Sequence, residues 1–388
     1  MYDATWPRSG KRGWRAVRLV VLCGAIAVGL AVWFAQPLYA QDEDVQQEIP
    51  ITCRACEFRL APDGSIAVVF ENAAVVGDEA PQFARLPIRI INLASGKPTG
   101  RLVGHTDYAT DADFSPDGKR LATIHSNGVI QIWDMARRRT IGQFPTTIGG
   151  GKIRYLPDGE RLTVLTPGPA SELRVVDAET GAITQILRKP VLSLYAYREA
   201  FSDITRQMDM NFCGLAVAPD GDSVAVATAN DELGFWSLES GAYKVLDRPS
   251  DRMATFARCD LHFSADGATL YYLDTKAKQA DLWDWESRER RSIALAETER
   301  LSGLALSPDG ATLAWAAHVD DVPAVLLALV DTQEAAADSG LEVSDTMRVA
   351  PRITAVHFLP DGSGLVAGGF LATDDENAIY IVGAESAP

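Results

Sequence analysis

Cys53-Arg54-Ala55-Cys56 is the one local motif in these 388 residues with evident chemical capacity. Such a pair works as a redox dithiol only where a helix N-terminus or a nearby cation holds one sulfur as thiolate. Here Glu57 follows the motif and the chain runs on into a strand-like stretch, with no βαβ pattern around it. Covalent haem would need histidine at position 57, where Glu57 stands. The pair therefore reads as structural, a local bridge or a clip; redox work and zinc ligation are the alternatives. Cys213 and Cys259 bring the cysteines beyond residue 40 to four. An even number in an exported chain implies disulfides, and four cysteines allow three connectivities. Asp111 and Asp113 follow a strand alternation and read as solvated surface. No nucleophile elbow, zinc-binding helix, phosphate loop or calcium loop occurs, so the expectation is no catalytic residue, no metal and no cofactor.

The elements that must position these residues are marked by a recurring turn. Pro-Asp-Gly occurs at 62–64, 116–118, 157–159, 219–221, 308–310 and 360–362, and Ala265-Asp266-Gly267 is a degenerate seventh copy. Proline presets φ for the first central position, aspartate tolerates the second, and glycine supplies φ > 0. An apolar or aromatic residue stands three before most of the aspartates (Leu60, Phe114, Tyr155, Val217, Phe263, Leu306, Phe358), and an alternating run follows each turn. These are antiparallel strands joined by tight turns. The turn aspartates lie 54, 41, 62, 46, 43 and 52 residues apart, which makes the longer intervals repeats with insertions. Cys56, Cys213 and Cys259 each precede their turn aspartate by seven residues, so they share one height on equivalent strands and a 213–259 bridge between neighbouring repeats is conceivable. His262 and His357 each precede theirs by four, on non-adjacent repeats with no carboxylate cluster in register, which argues against a metal site.

The first forty residues are of another kind. Arg8, Lys11, Arg12, Arg15 and Arg18 precede an uncharged apolar run from Leu19 to Ala35, and the chain turns acidic after Ala40. That is the pattern of a secretory signal peptide over 1–40. An uncleaved N-terminal membrane anchor is the alternative, since 17 apolar residues are marginal for spanning. Either way the expectation for 41–388 is an exported domain, periplasmic or held at the membrane outside the cytoplasm. The whole chain carries 52 acidic and 36 basic residues, a formal charge of −16. Without the five basic residues and Asp3 of the first forty, 51 acidic residues face 31 basic ones. Such a surface repels phosphate backbones, so nucleic acid is not the expected partner.

The stretch 104–134, GHTDYATDADFSPDGKRLATIHSNGVIQIWD, opens on Gly-His and closes on Trp-Asp. It resembles one repeat of the WD-repeat β-propeller family, whose blades recur every 40–45 residues. The resemblance implies an all-β fold, a seven-bladed β-propeller of four-stranded antiparallel blades, filling 41–388 as a monomeric ring. It implies further that the N-terminal segment Asp44–Ile51 supplies the outer strand missing from the last blade, since an open ring would leave bare edges. It implies a polar tetrad in the second blade, His105, Thr123, Asn127 and Trp133, with Asn127 where the family prefers aspartate. Trp236 and Trp283 stand in the tryptophan position without its histidine and are expected to pack between blades.

A propeller by itself hosts binding modules and enzymes alike. The insertions are more telling: 71–86, 189–211 and 371–377 fall on one face of such a ring, and 331–340 on the other. Long loops in a compact domain are commonly functional. Within 189–211, Tyr195, Tyr197, Arg198, Phe201 and Arg206 suit a protein-binding patch, because aromatic residues and arginine carry most interface energy; the same aromatics could instead cover the channel mouth. The sequence therefore points to a non-catalytic, extracytoplasmic protein-interaction scaffold with an unidentified protein partner. The alternative is a propeller enzyme or redox accessory working through Cys53 and Cys56 or a bound cofactor.

Overall fold

The chain divides into two units, Met1–Gln41 and Asp42–Pro388. A computed structural model describes residues 45–51, 56–71, 87–105, 107–146, 149–166, 172–189, 212–228, 232–247, 260–274, 277–295, 299–319, 322–329, 345–348, 355–369 and 377–383. All of these lie in the second unit. Residues 1–40, which the sequence suggests are a signal peptide or anchor, lie outside the described residues, as do Cys53, Cys259 and the five residues from Tyr195 to Arg206.

The described residues form strands and turns only. β1 (Val45–Ile51) comes first. Blade 1 is β2 (Cys56–Leu60), β3 (Ile66–Glu71), β4 (Ile88–Asn92) and β5 (Lys97–Leu102). Blade 2 is β6 (Ala109–Phe114), β7 (Arg120–His125), β8 (Val129–Asp134) and β9 (Arg139–Pro145). Blade 3 is β10 (Lys152–Tyr155), β11 (Arg161–Leu165), β12 (Glu172–Asp177) and β13 (Ile183–Arg188). Blade 4 is β14 (Phe212–Val217), β15 (Ser223–Thr228), β16 (Leu233–Ser237) and β17 (Tyr243–Asp247). Blade 5 is β18 (His262–Phe263), β19 (Thr269–Asp274), β20 (Gln279–Asp284) and β21 (Arg290–Ala294). Blade 6 is β22 (Glu299–Leu306), β23 (Thr312–Val319), β24 (Val322–Leu329) and β25 (Asp345–Arg348). Blade 7 is β26 (Ala355–Phe358), β27 (Gly364–Gly369) and β28 (Asn377–Gly383), and β1 completes it as fourth strand. β1 runs antiparallel to β28 with Ile49 opposite Ile379. The closure implied by the family resemblance is present, and the ring is all-β with seven four-stranded blades.

Burial along the strands follows from this stacking. Middle strands are covered on both faces by neighbouring blades, so β15 is buried throughout and β12 nearly so. Outer strands have a solvent face, and β9 alternates exposed with half-buried positions. Seven apolar clusters result, one at each blade–blade interface. The cluster between blades 1 and 2 joins Val68, Phe70 and Ile88 to Phe114, Leu121 and Trp133. The one between blades 7 and 1 joins Val366 and Ile379 to Phe58, Ala67 and Ile91, with Ile49 of β1 among them. Trp236 is fully buried and Trp283 is 6 % exposed, both within interface packing as the sequence suggested.

The Pro-Asp-Gly turns do more than reverse the chain. The Ser115 N–H donates to Arg120 O, and the Gly118 N–H to Ser115 O, with Gly118 at φ +66°. The aspartate side chain accepts from the turn, as Asp117 does from the Ser115 hydroxyl at 2.7 Å. Six of the seven turn glycines also receive the proline of the preceding blade. A Cβ placed on Gly118 would lie 3.7 Å from Pro62 Cδ, on Gly159 3.5 Å from Pro116, on Gly221 3.7 Å from Pro157, and on Gly267 2.7 Å from Pro219. Gly362 meets Pro308 at 4.0 Å and Gly64 meets Pro360 at 3.0 Å. The chain of contacts runs around the ring and breaks once: Gly310, whose preceding blade carries Ala265, has nothing within 4 Å.

Candidate functional site

Blade 2 holds a buried polar chain. The Trp133 indole N–H donates to Thr123 Oγ1 at 3.0 Å, and Thr123 Oγ1 lies 2.9 Å from His125 Nε2. His125 Nδ1 lies 3.0 Å from the Asp107 carbonyl oxygen, which can only accept. Nδ1 therefore carries the proton, Nε2 accepts from the threonine hydroxyl, and the donors run in one direction from Trp133 to Asp107. Burial lowers the His125 pKa to about 4, with His105 acting in the same sense, so the ring is neutral. The tetrad reading is corrected at two positions. The imidazole on Thr123 is that of His125, from the strand itself, while His105 stacks on it with centroids 5.8 Å apart. Asn127 Oδ1 accepts from the Val129 N–H at 3.2 Å and so braces its own turn. The reason is steric economy: His125, two residues after Thr123, projects from the same face of β7, where its ring meets the hydroxyl directly.

A second polar group lines the inner strands. Asp111 is only 1 % exposed. Its Oδ1 lies 2.5 Å from Arg59 Nη2 of blade 1, and its Oδ2 lies 2.5 Å from Arg154 Nη1 of blade 3. Burial opposes the Asp111 charge, but Arg154, then Arg59 and Lys152, hold its carboxyl well below the usual range. Asp111 Oδ2 also accepts from the Ile153 N–H at 3.0 Å, and Asp113 Oδ2 from the Tyr155 N–H at 2.7 Å. β10 pairs only with β11, so its outer N–H groups would otherwise be bare; two carboxylates from β6 satisfy them. Arg59 Nε reciprocates by donating to the Ala112 carbonyl. This overturns the reading of Asp111 and Asp113 as solvated surface. Burial raises the Asp113 pKa to about 6, against the pull of Arg154.

His262 and His357 come closer than their separation in the repeats suggests. Their rings stand 6.1 Å apart, Phe58 meets His357 edge-on at 5.1 Å, and Asp260 Oδ1 lies 3.1 Å from His262 Nε2. Burial lowers the His357 pKa to about 3, helped by His262 and Arg59. Among the described residues no group of three or more His, Cys, Asp or Glu side chains is arranged to hold a metal ion. Cys56 opens β2, and Cys213 on β14 is disulfide-bonded.

The partner-binding residues Tyr195, Tyr197, Arg198, Phe201 and Arg206 lie outside the described residues, but the root of their segment is well defined. Arg188 Nε donates to Glu172 Oε2 at 2.9 Å, and Arg174 Nε to Glu172 Oε1 at 2.6 Å. Lys189, the last described residue before the segment, lies 2.6 Å from Glu232 Oε1 of blade 4, which also accepts from the Tyr243 hydroxyl. Glu172 and Glu232 are 5 % and 2 % exposed. Sequence reasoning missed these two carboxylates; a glutamate at the start of the third strand in two successive blades was the available signal. Among the described residues no helix is long and apolar enough to cross a membrane.

Strand order, ring and interface packing define a seven-bladed β-propeller. The WD domain, G-beta repeat family model matches residues 96–134, which span β5 of blade 1 and β6 to β8 of blade 2. The match covers one repeat of the chain, and the remaining blades share the β-propeller fold. The β-propeller domain of Cps50 (Swd1) from Myceliophteria thermophila superposes with a TM-score of 0.63 at 11% identity, covering 87% of this chain and 99% of that one. Hydrazine synthase from Kuenenia stuttgartiensis superposes with a TM-score of 0.61 at 16% identity, covering 90% of this chain and 100% of that one. At such identities the likeness is one of fold. No curated protein matches the sequence.

Proposed function

We propose that this protein is a non-catalytic scaffold acting outside the cytoplasm, which holds a protein partner on the face bearing its long connections. Propellers of the WD-repeat family generally bind protein partners. The observation that carries the reading is the fixed root of the 190–211 segment. Arg188 and Lys189 are tied to carboxylates buried in blades 3 and 4, so the segment leaves a rigid base. Binding loops work when a rigid scaffold positions them. In an antiparallel meander the β13–β14, β3–β4, β17–β18 and β27–β28 connections start and end on the same face, which gives a partner several contact points. Export follows from the basic and apolar pattern of residues 1–40, with cleavage after Ala40 favoured over a retained anchor. An oxidising compartment agrees with the bridged Cys213, for which Cys259 of the neighbouring repeat is the proposed partner.

The charged inner strands favour a second reading, an enzyme or redox accessory, because perturbed titrating groups collect at working sites. Asp111, however, is fully engaged by two guanidinium groups and cannot act as a base. Metal analysis and an absorption spectrum of the purified protein separate the two, since a stoichiometric cofactor supports the second. The scaffold reading is tested by crosslinking capture from the native envelope, comparing the intact chain with a variant lacking 192–207. A partner lost only from the variant supports it; the same proteins retrieved by both, or none by either, contradicts it.

A further inference from the structure

We propose that the inner face of β10 binds a small oxyanion, a carboxylate or phosphate group, between Lys152 and Arg154. The two residues are two apart on one strand, so they project from the same face. The alternate residues, Ile153 and Tyr155, fill the interface with blade 2 at 0 % and 5 % exposure. Lys152 and Arg154 are therefore directed to the side where Arg59, Asp111, Asp260 and His357 gather.

Donor capacity on that face exceeds what the protein uses. Arg154 donates through Nη1, to Asp111 Oδ2 and to the Ile153 carbonyl. Its Nη2 and Nε, and the Lys152 ammonium, have no hydrogen-bond partner among the described residues. Asp111 is shared by two guanidinium groups and Glu57 accepts from Arg59 Nη2 at 3.3 Å, so Arg59, Arg154, Asp111 and Glu57 are together neutral. Lys152 adds a positive charge that none of them balances. Asp113 is turned away, accepting from the Tyr155 N–H on the strand edge. Besides Glu57 on Arg59, the opposing charge is Asp260, which is paired with His262 at 3.1 Å. Desolvation works against the Asp260 charge, yet His262, Lys152 and His357 together hold its carboxyl below its ordinary value. At 65% side-chain exposure that pull is screened by solvent, and Asp260 forms no ion pair with Lys152. An oxyanion with two or more acceptor oxygens can take the Lys152 and Arg154 donors together, and such charge-assisted bonds are the strong ones. The chain as a whole carries −16, so its general field does not collect anions, and recognition must come from these donors.

The site does not depend on the scaffold reading. It is tested by calorimetric titration of the full chain with sulfate and, separately, acetate, each against chloride at matched ionic strength. Lys152→Gln removes an ammonium that no protein acceptor holds, so the fold is kept; circular dichroism checks this. Lys119→Gln, at a turn lysine whose side chain is 81% exposed, is the control. The expected result is saturable binding of at least one probe, weakened roughly tenfold or more in Lys152→Gln and unchanged in Lys119→Gln. Tighter sulfate binding identifies a phosphate ligand, and tighter acetate binding a carboxylate. No saturable binding of either probe, or equal binding in Lys152→Gln, overturns the proposal. Crystals soaked in selenate give an independent reading. An anomalous peak between Lys152 and Arg154 supports the site, and peaks only elsewhere contradict it.

Discussion

Ala265→Pro should stabilise the protein, because it repairs the one gap in the ring of proline–glycine contacts. The turn at 264–267 already has the geometry of its proline-bearing relatives. Ser264 N donates to Thr269 O and Gly267 N to Ser264 O, both at 2.8 Å, matching Ser115 and Gly118 in blade 2. Gly267 has φ +74° against +66° for Gly118, and the serine hydroxyl meets the aspartate at 2.6 Å against 2.7 Å. Proline's fixed φ is thus already adopted, and the Ala265 N–H makes no hydrogen bond that the ring would remove. Restricting the unfolded chain at a compatible site is worth about 0.4–1 kcal/mol. The ring would also reach toward Gly310, which has nothing within 4 Å where its counterparts meet proline carbons at 2.7–4.0 Å. Burying one or two methylenes there adds about 0.8 kcal/mol each at most. A total near 1 kcal/mol corresponds to a rise in Tm of only about 1–2 °C for a domain this long. Denaturant titration is therefore the better assay, with Pro116→Ala as the reciprocal change, expected to cost a similar amount. A destabilised Ala265→Pro, or a neutral Pro116→Ala, would refute the claim that these prolines act between blades.

Three further outcomes are expected. Thr123→Val removes the acceptor of the Trp133 indole and the donor to His125, and should cost about 2–4 kcal/mol. The converse Val226→Thr, at the matching position of blade 4, should cost little or stabilise. Val224 pairs with Trp236 as Leu121 does with Trp133, and the Trp236 indole N–H has no partner among the described residues. A loss in Val226→Thr as large as for an ordinary buried hydroxyl would show that the two sites differ. Asp111→Asn leaves two guanidinium groups around a neutral amide and should cost about 3–5 kcal/mol by denaturant titration; a loss under about 1 kcal/mol contradicts the bridging role. The fourth prediction concerns acid. Folded His125 and His357 protonate only near pH 4 and 3, whereas the unfolded chain takes those protons near 6.5, so each lowers stability as pH falls below 6.5. Asp113 protonates near pH 6 in the fold and near 3.8 unfolded, so it raises stability over much of the same range. These three groups together contribute one proton, a loss of roughly 1.4 kcal/mol per pH unit near pH 5, to which the turn aspartates with lowered pKa add as pH falls further. Asp113→Asn should steepen the slope by about one further proton, roughly 1.4 kcal/mol per pH unit, and an unchanged slope counts against the assignment.

The repeat was legible because its signal is local. Proline, aspartate and glycine each have a conformational reason to occupy their turn positions, and seven copies set the blade number. What the turn sequence concealed was its second role, since contact between Pro116 and Gly159 is visible only when blades are stacked. Asp111 was misread for a related reason. Alternation shows that a side chain leaves one face of a strand, not what faces it, and its partners Arg59 and Arg154 lie 52 and 43 residues away. A register shift between Ala109 and Asp111 further blurs the pattern. His125 escaped because a strand-end histidine reads as one more pleat position, whereas His105 stands in the motif. Spacing from Thr123 was the clue, since residues two apart share a face.

The central claim, that a protein partner docks on the face of the long connections, is tested most directly by hydrogen exchange on the chain with and without its captured partner. The account predicts protection in the β3–β4, β13–β14, β17–β18 and β27–β28 connections, with the Pro-Asp-Gly turns unchanged. Protection confined to those turns or to the outer strands would place the partner elsewhere and contradict it.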